Sequence, residues 1–288
     1  MKLVHLAAFA AIVFFSCSKG GSTGGNSGNS GYGGTSGPSG TYLTTTSTVV
    51  NGDSVRTEIY FNTDNSVQKA IVITEGVNGS VGDTSYVAIF PVYGGGQLTQ
   101  LQTSADSTAS SGQPTTFFDY STSGALMRIR YNPGTPGYAY DSLVIDNNNL
   151  LAQSFHFVLQ ASNPVLLYSE SFTWSTAKDI TSLLLSNVDT SNGSVSDLSI
   201  TYAYDGSFNP YKTVKDLAYI LGSLDNDLPM LSANNPISVQ ITGVNASNAY
   251  VYQYNQLSLP VSQNIQVLQS GSVKTSSFVF FQYVQSNQ

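Results

Sequence analysis

A short motif that recurs along the chain constrains its fold more than any other feature. It has two apolar or aromatic residues separated by one spacer, then five residues that begin with Asn, Ser or Asp, and then another apolar residue. Two further copies, at Tyr202/Tyr204/Asp205 and Tyr252/Tyr254/Asn255, keep the first half of the motif. The full copies are Ile59/Phe61/Asn62/Val67, Phe118/Tyr120/Ser121/Leu126, Leu143/Ile145/Asp146/Leu151 and Phe172/Trp174/Ser175/Ile180.

Each copy predicts a β-hairpin. Residues separated by one spacer point to the same face of a strand, so the first half of the motif is a one-sided apolar ladder. Asn, Asp and Ser side chains bond the backbone in turns, and Asn65, Gly124 and Asn149 tolerate a positive φ. Consecutive hairpins give an antiparallel meander, which can form a curved sheet, a sandwich or a barrel-like domain. We expect the repeated rings to line its core, because each aromatic ring buries about 150 to 250 Å².

One segment departs from strand periodicity. Val214, Leu217, Ala218 and Leu221 fall at helical spacing, and Thr213 with Asp216 resembles a capping box. The sequence therefore predicts one short helix near 213–221, which we expect to close one edge or end of the sheet.

The N-terminus has the layout of an exported lipoprotein. Residues 1–16 form a predicted signal peptide, and Ser16 precedes Cys17, the only cysteine in the chain. We expect Cys17 to be lipidated and to anchor the protein to the outer membrane. Residues 17–40 are rich in Gly and Ser and predict a flexible linker with a reach of roughly 25 to 30 Å. Residues 41–288 then form a single β domain.

The charge balance narrows the expected partners. The formal net charge is −7 and only 9% of residues are charged, which argues against nucleic acid and anionic membrane surfaces. The expected location is the cell envelope, on the periplasmic face of the outer membrane or on the cell surface.

The C-terminal third resembles a family of Bacteroidota lipoproteins of unknown function with a porin-like fold and hairpins similar to YD-type repeats. The resemblance implies a barrel-like or strongly curved antiparallel sheet and brings no activity. Phe208 departs from the family pattern at a turn position. The matching residues are Tyr202, Tyr204, Asp205, Asn209, Pro210, Tyr211, Leu217, Leu221, Ser232, Asn234 and Asn235.

No motif predicts catalysis or a bound cofactor. His156 alternates with Phe155 and Phe157 on a predicted strand and lacks a nucleophile motif, so a satisfied structural role is expected. The Asp225-Asn226-Asp227 cluster lacks the carboxylate that a calcium loop needs at its twelfth position. We therefore expect no metal, no cofactor and no enzyme activity. A glycosidase-type acid pair stays open, because any two of the 17 acidic residues can converge in the fold.

Three Asp-Ser dipeptides resemble the acceptor pattern for O-glycosylation. The acceptor serines are Ser54, Ser107 and Ser142, and Ser107 has the most loop-like surroundings.

These features favour a non-enzymatic envelope lipoprotein that binds a glycan or another envelope protein through an exposed aromatic or edge-strand surface. The alternatives are a structural scaffold or spacer and, more remotely, a glycan hydrolase with an unidentified carboxylate pair. A membrane-spanning barrel is disfavoured, because several predicted strands are short and interrupted by Asn, Lys or Gln.

Overall fold

The computed structural model describes residues 40–50, 53–76, 84–221 and 228–285. These residues form a meander of antiparallel strands in which β1 pairs with β16, so the sheet closes into a 16-stranded barrel. The predicted mostly β fold is confirmed, and closure selects the barrel over the sandwich. The strands are β1 Thr41–Val50, β2 Asp53–Phe61, β3 Val67–Glu75, β4 Thr84–Gly94, β5 Gln97–Ser104, β6 Gln113–Tyr120, β7 Leu126–Tyr131, β8 Ala139–Ile145, β9 Leu151–Gln160, β10 Asn163–Trp174, β11 Ile180–Val188, β12 Val195–Phe208, β13 Asn234–Ile241, β14 Ala246–Tyr254, β15 Pro260–Gln269 and β16 Ser272–Gln285.

Five of the six predicted hairpin turns share one geometry. The prediction is wrong for the copy at Tyr202/Tyr204/Asp205, because β12 continues to Phe208 and leads into a 3₁₀ helix at Pro210. In each of the five turns the first residue donates its N–H to the fifth residue's carbonyl and accepts from the fourth residue's N–H, at 2.8 to 3.1 Å. The fourth residue has a positive φ, which is the left-handed position that glycine and asparagine favour. The turns begin at Asn62, Ser121, Asp146, Ser175 and Asn255, and their left-handed residues are Asn65, Gly124, Asn149, Lys178 and Ser258. All of these turns lie at one end of the barrel, which we call the closed end.

The repeated ladders point into the barrel and stack in layers. Nearest the closed end, the second ladder residue pairs across its hairpin with the last residue of the motif, as Phe61 does with Val67 and Trp174 with Ile180. Phe61 packs against one buried apolar cluster, and Tyr120, Ile145 and Trp174 pack against a second. The prediction that these residues line a dry interior is confirmed.

A segment between β12 and β13 packs into the closed end, and we call its described residues, 209–221 and 228–233, the plug. It contains the 3₁₀ helices Pro210–Thr213 and Leu228–Leu231 and the helix α1, Leu217–Leu221. Val214, Leu217 and Ile220 belong to one apolar cluster, whereas Leu231 belongs to the other and Ala218 and Tyr219 pack against it. The plug therefore contributes to both halves of the interior.

The predicted helix is confirmed, but its expected cap is wrong. Helix α1 begins only at Leu217, because Asp216 has a φ of +59° and breaks the helical path. The hydroxyl of Thr213 instead donates to the carbonyl of Pro210 at 2.7 Å and accepts from the N–H of Leu43 at 3.0 Å. Thr213 thus ties the plug to the first strand of the barrel.

Buried amide and hydroxyl side chains hold the plug in place. Asn209 donates from Nδ2 to the carbonyls of Pro229 at 2.9 Å and Ser232 at 3.0 Å. The hydroxyl of Ser232 accepts from the N–H of Ile180 and donates to the hydroxyl of Tyr204. Several residues of the porin-like motif, among them Asn209, Ser232, Asn234 and Asn235, make the bonds that fix the two ends of the plug.

Candidate functional site

Farther from the closed end than the two apolar residues of each ladder, the inner wall of the barrel becomes polar. Stepping two residues back along each ladder gives Thr57, Thr116, Asp141 and Glu170, and all four side chains are buried. Because the step is two residues, these side chains share the inward face of their ladders. We call this level of the barrel interior the polar layer.

The polar layer contains a network around Asp141, which is 2% exposed. Asp141 Oδ1 lies 2.7 Å from His156 Nδ1, and Asp141 Oδ2 accepts the hydroxyl hydrogen of Tyr131. The imidazole of His156 stacks on the ring of Tyr168, with centroids 4.6 Å apart and planes tilted by 7°. The strand register explains the group, because Asp141, His156 and Tyr168 pair directly across β8, β9 and β10.

A second carboxylate lies beside this network on the same wall. Glu170 is 3% exposed, and its Oε2 accepts from the hydroxyl of Ser154 at 2.7 Å. Glu170 also pairs with Ser154 in the β9–β10 register. Buried carboxylates carry a large desolvation cost, so two of them in a barrel interior mark it as a candidate functional site.

Tyrosines complete the inner wall on β12 and β14. Burial is the largest cause that raises the pKa of Tyr202, and the charges of the nearby Tyr204 and Glu170 raise it further. Burial also raises the pKa of Tyr204 and of Tyr252, whose hydroxyl accepts from Gln263 Nε2 at 2.7 Å. These phenols therefore stay protonated at neutral pH and can both donate and accept hydrogen bonds.

Near the end opposite the turns, which we call the open end, inward positions among the described residues are exposed to solvent. Ser85, Ser196 and Thr275 occupy inward register positions near that end, and all three are exposed. At the closed end, by contrast, inward residues such as Val67, Leu151 and Ile180 have no exposed surface. The described part of the barrel is thus a cup with an apolar floor, a polar middle and a solvated rim.

His156 lies where alternation places it, opposite Phe155 and Phe157, and it makes the satisfied interaction expected of it. The network partners Tyr131, Asp141, Tyr168 and Glu170 were not predicted. A signal for both acids was present, because Asp141 and Glu170 extend the ladders Leu143/Ile145 and Phe172/Trp174 by one step. An acid on the apolar face of a ladder indicates a buried carboxylate.

The acceptor serines lie apart from this site. Ser54 is the second residue of β2 and donates to Glu75 Oε2, and Ser107 lies in the β5–β6 loop, where its carbonyl accepts from Lys69 Nζ. Ser142 lies within β8, next to the buried Asp141. Glycosylation of the three serines stays a prediction. Cys17, the signal peptide, the linker up to residue 39 and the Asp225-Asn226-Asp227 cluster lie outside the described residues.

The described residues contain no group of three or more His, Cys, Asp or Glu side chains placed to hold a metal ion. Within the same residues, no helix has the length and apolar character needed to cross a membrane. Closure of the sheet by β1 and β16 also removes the free edge that an edge-strand binding surface requires, so that part of the expectation is wrong.

Comparison with solved structures supports the fold. A porin-like protein from Bacteroides uniformis ATCC 8492 matches with a TM-score of 0.58 and 10% identity, over 87% of this chain and 99% of that chain. A porin-like protein from Bacteroides vulgatus ATCC 8482 matches with a TM-score of 0.37 and 12% identity, over 85% of this chain and 99% of that chain. No protein-family model matches, and no curated protein matches significantly. The porin-like fold is therefore confirmed, and at this identity the likeness extends to the fold alone.

Proposed function

We propose that this chain is a cell-envelope lipoprotein whose barrel is a non-enzymatic binding module for a neutral, hydroxyl-rich ligand such as a glycan. The observation that carries the proposal is the pair of buried carboxylates, Asp141 and Glu170, in a cup that opens to water. Carboxylates accept hydrogen bonds from sugar hydroxyls, and protonated tyrosines both donate and accept them. Aromatic rings and the imidazole of His156 offer faces for stacking.

The charge of the wall selects among ligands. The polar layer contributes Asp141 and Glu170, while the lysines of the plug, Lys212 and Lys215, lie at the closed end, where Lys215 is exposed. Lys215 donates to the carbonyl of Gly96 at 3.0 Å and is thereby held at the closed end. An anionic ligand would meet like charge at the polar layer, so a neutral glycan fits better.

The geometry favours binding over hydrolysis. Asp141 and Glu170 lie on β8 and β10, two strands apart, which separates their backbones by about 10 Å. A glycosidase uses its two carboxyl groups as a proton donor and as a base or nucleophile, on either side of the scissile bond. Both oxygens of Asp141 also bond to Tyr131 and His156, which holds this carboxylate as a fixed hydrogen-bond acceptor rather than as an acid or a nucleophile.

The chain enters the barrel at the end opposite the mouth of the cup. Strand β1 begins at Thr41, which pairs with Gln285 at the closed end. A tether that leads back from Thr41 to a lipidated Cys17 leaves the barrel on the side of the plug. The proposed tether then joins the barrel at the end opposite the mouth of the cup, so that it leaves the mouth unobstructed.

Calorimetric titration tests the proposal. Residues 18–288 are titrated with a panel of neutral mono- and oligosaccharides, and the saccharide that binds is then tested against Asp141→Asn and Glu170→Gln. We expect each variant to weaken binding by about tenfold or more, because a charged hydrogen-bond acceptor contributes about 1.5 to 3 kcal/mol.

The matched control is Asp197→Asn. Asp197 is an exposed carboxylate on β12 that accepts from the hydroxyl of Ser186. Binding that survives both luminal substitutions but falls with the control would place the site outside the cup. A panel in which no saccharide binds at millimolar concentration would favour the structural scaffold.

A further inference from the structure

One wall of the barrel is almost free of charge. Strands β13, β14, β15, β16 and β1 are neighbours in the closed sheet, and Lys274 is the only charged residue among them. The whole chain is 9% charged, so this wall lies well below the average. The opposite wall is charged, with Asp119 and Arg130 forming an ion pair at 2.7 Å and Arg128 exposed beside them.

The same wall presents apolar side chains to solvent. Phe278 and Phe280 are 46% and 50% exposed, while Val279 and Phe281, which alternate with them, point into the interior. Phe278 pairs with Val49 of β1, which is also exposed, and Val251 of β14 adds a further exposed side chain. Asn264 of β15 lies between Val251 and Phe278 in this row, so the row is apolar and neutral polar. Exposed apolar groups with few charges around them are typical of protein interfaces.

The size of the wall suits a dimer. Five strands spaced about 4.8 Å apart and about 30 Å long cover about 700 Å². A stable protein interface buries about 800 Å² on each partner. The wall is therefore large enough for one standard interface and too small for an extensive obligate one.

We propose that two copies of this chain pack through these walls, with Phe278 and Phe280 at the centre of a twofold interface. The charge distribution selects a second copy as the occupant. Each chain carries a formal charge of −7, and like charges across an interface are repulsive. The uncharged wall is the face on which two identical acidic chains can meet without placing carboxylates together, and a twofold axis buries the same patch on both.

Sedimentation velocity on residues 18–288 tests the proposal. We expect a concentration-dependent monomer–dimer equilibrium for the wild type and, for Phe278→Lys, a dissociation constant raised by about 30-fold or more, as for an interface hot spot. The control is Val144→Lys. Val144 is 43% exposed and lies on β8, eight strands from β16 and hence on the opposite side of the barrel. It should leave the equilibrium unchanged.

A second measurement guards against a folding defect in the lysine variant. The chain after residue 17 contains no cysteine, so Ser262→Cys on the uncharged wall and Gln153→Cys on the opposite wall each give one thiol. Oxidation should convert the Ser262→Cys variant to a covalent dimer at least tenfold faster than the Gln153→Cys variant. A wild type that stays monomeric at high micromolar concentration, equal crosslinking rates, or a monomer that cosediments with neutral phosphatidylcholine vesicles would overturn the proposal.

Discussion

The plug should be an integral part of the fold, and Leu217→Ala measures its contribution. Leu217 is 1% exposed and lies in the apolar cluster that includes Leu43 and Ile89 of the barrel wall. Truncation removes the transfer free energy of the lost carbon atoms and leaves a cavity that the rigid wall cannot fill. Leucine-to-alanine changes at such sites cost about 3 to 5 kcal/mol. We therefore expect a loss of about 4 kcal/mol in the free energy of unfolding.

Urea denaturation monitored by tryptophan fluorescence is the appropriate assay. Trp174 is the only tryptophan, and its indole N–H donates to the carbonyl of Leu151 at 2.8 Å beside the second apolar cluster. With an m-value of about 3 kcal/mol per molar urea, a loss of 4 kcal/mol lowers the midpoint by about 1.3 M. Far-ultraviolet circular dichroism should give the same midpoint if the plug and the barrel unfold together.

The control for this experiment is Leu184→Ala. Leu184 is 42% exposed on β11, so its truncation should cost less than about 1 kcal/mol. A cost below 1 kcal/mol for Leu217→Ala would show that the plug does not pack as described. A Trp174 transition that precedes the loss of β structure would instead show that the plug releases before the barrel opens.

Three further predictions concern a turn, a buried charge and the N-terminus. Lys178→Gly should stabilise the protein by up to about 1 kcal/mol in thermal unfolding, because Lys178 holds a φ of +66° that glycine adopts without strain; no change would mean that the turn relaxes. Burial lowers the pKa of Lys212 to about 8, with Asp216 opposing the shift. The cost of burying the charged lysine is full below pH 8 and fades as the pH approaches the ordinary lysine pKa near 10.5, so the free energy of unfolding should rise from pH 8 to 10. Lys212→Met should add about 1 to 2 kcal/mol to the free energy of unfolding at pH 7 and should flatten that rise. Intact-mass analysis of native protein should show a mature chain that begins at an acylated Cys17, and an unmodified residue there would remove the anchor from the proposed function.

The sequence predicted the local architecture because the controlling forces are local. Ladders such as Phe118/Tyr120 and turns such as that at Asp146 depend on period-two alternation and on one left-handed residue, and both are visible in a short window. Closure of the sheet depends on the pairing of Thr41 with Gln285, residues at opposite ends of the chain. No local pattern encodes that pairing, so the sequence did not distinguish a curved sheet, a sandwich and a barrel.

The plug could be only partly predicted for the same reason. Its helix has a periodic pattern, but its position in the interior depends on hydrogen bonds between distant segments, such as Ile180 to Ser232 and Leu43 to Thr213. The candidate site could be predicted better than the position of the plug and less well than the hairpin turns. Alternation places Asp141 and Glu170 on the inward face of their strands, yet only the register between β8, β9 and β10 brings Asp141 to His156.

A barrel of this strand number is wide enough to leave an aqueous channel, but the described residues of the plug pack into the closed end of this one. Val214 and Leu217 contact one side of the interior while Tyr219 contacts the other, with its ring 6.3 Å from that of Phe118. A solute that enters past the rim therefore meets an apolar floor. The outer surface of the barrel is consistent with this. Arg128 and Arg130 flank the inward-facing Ile129 on β7 and therefore face outward. An arginine that faces lipid at the bilayer midplane costs about 2 to 4 kcal/mol. A plugged barrel with arginines on its outer wall supports the proposed binding module over a barrel that conducts solutes across a membrane.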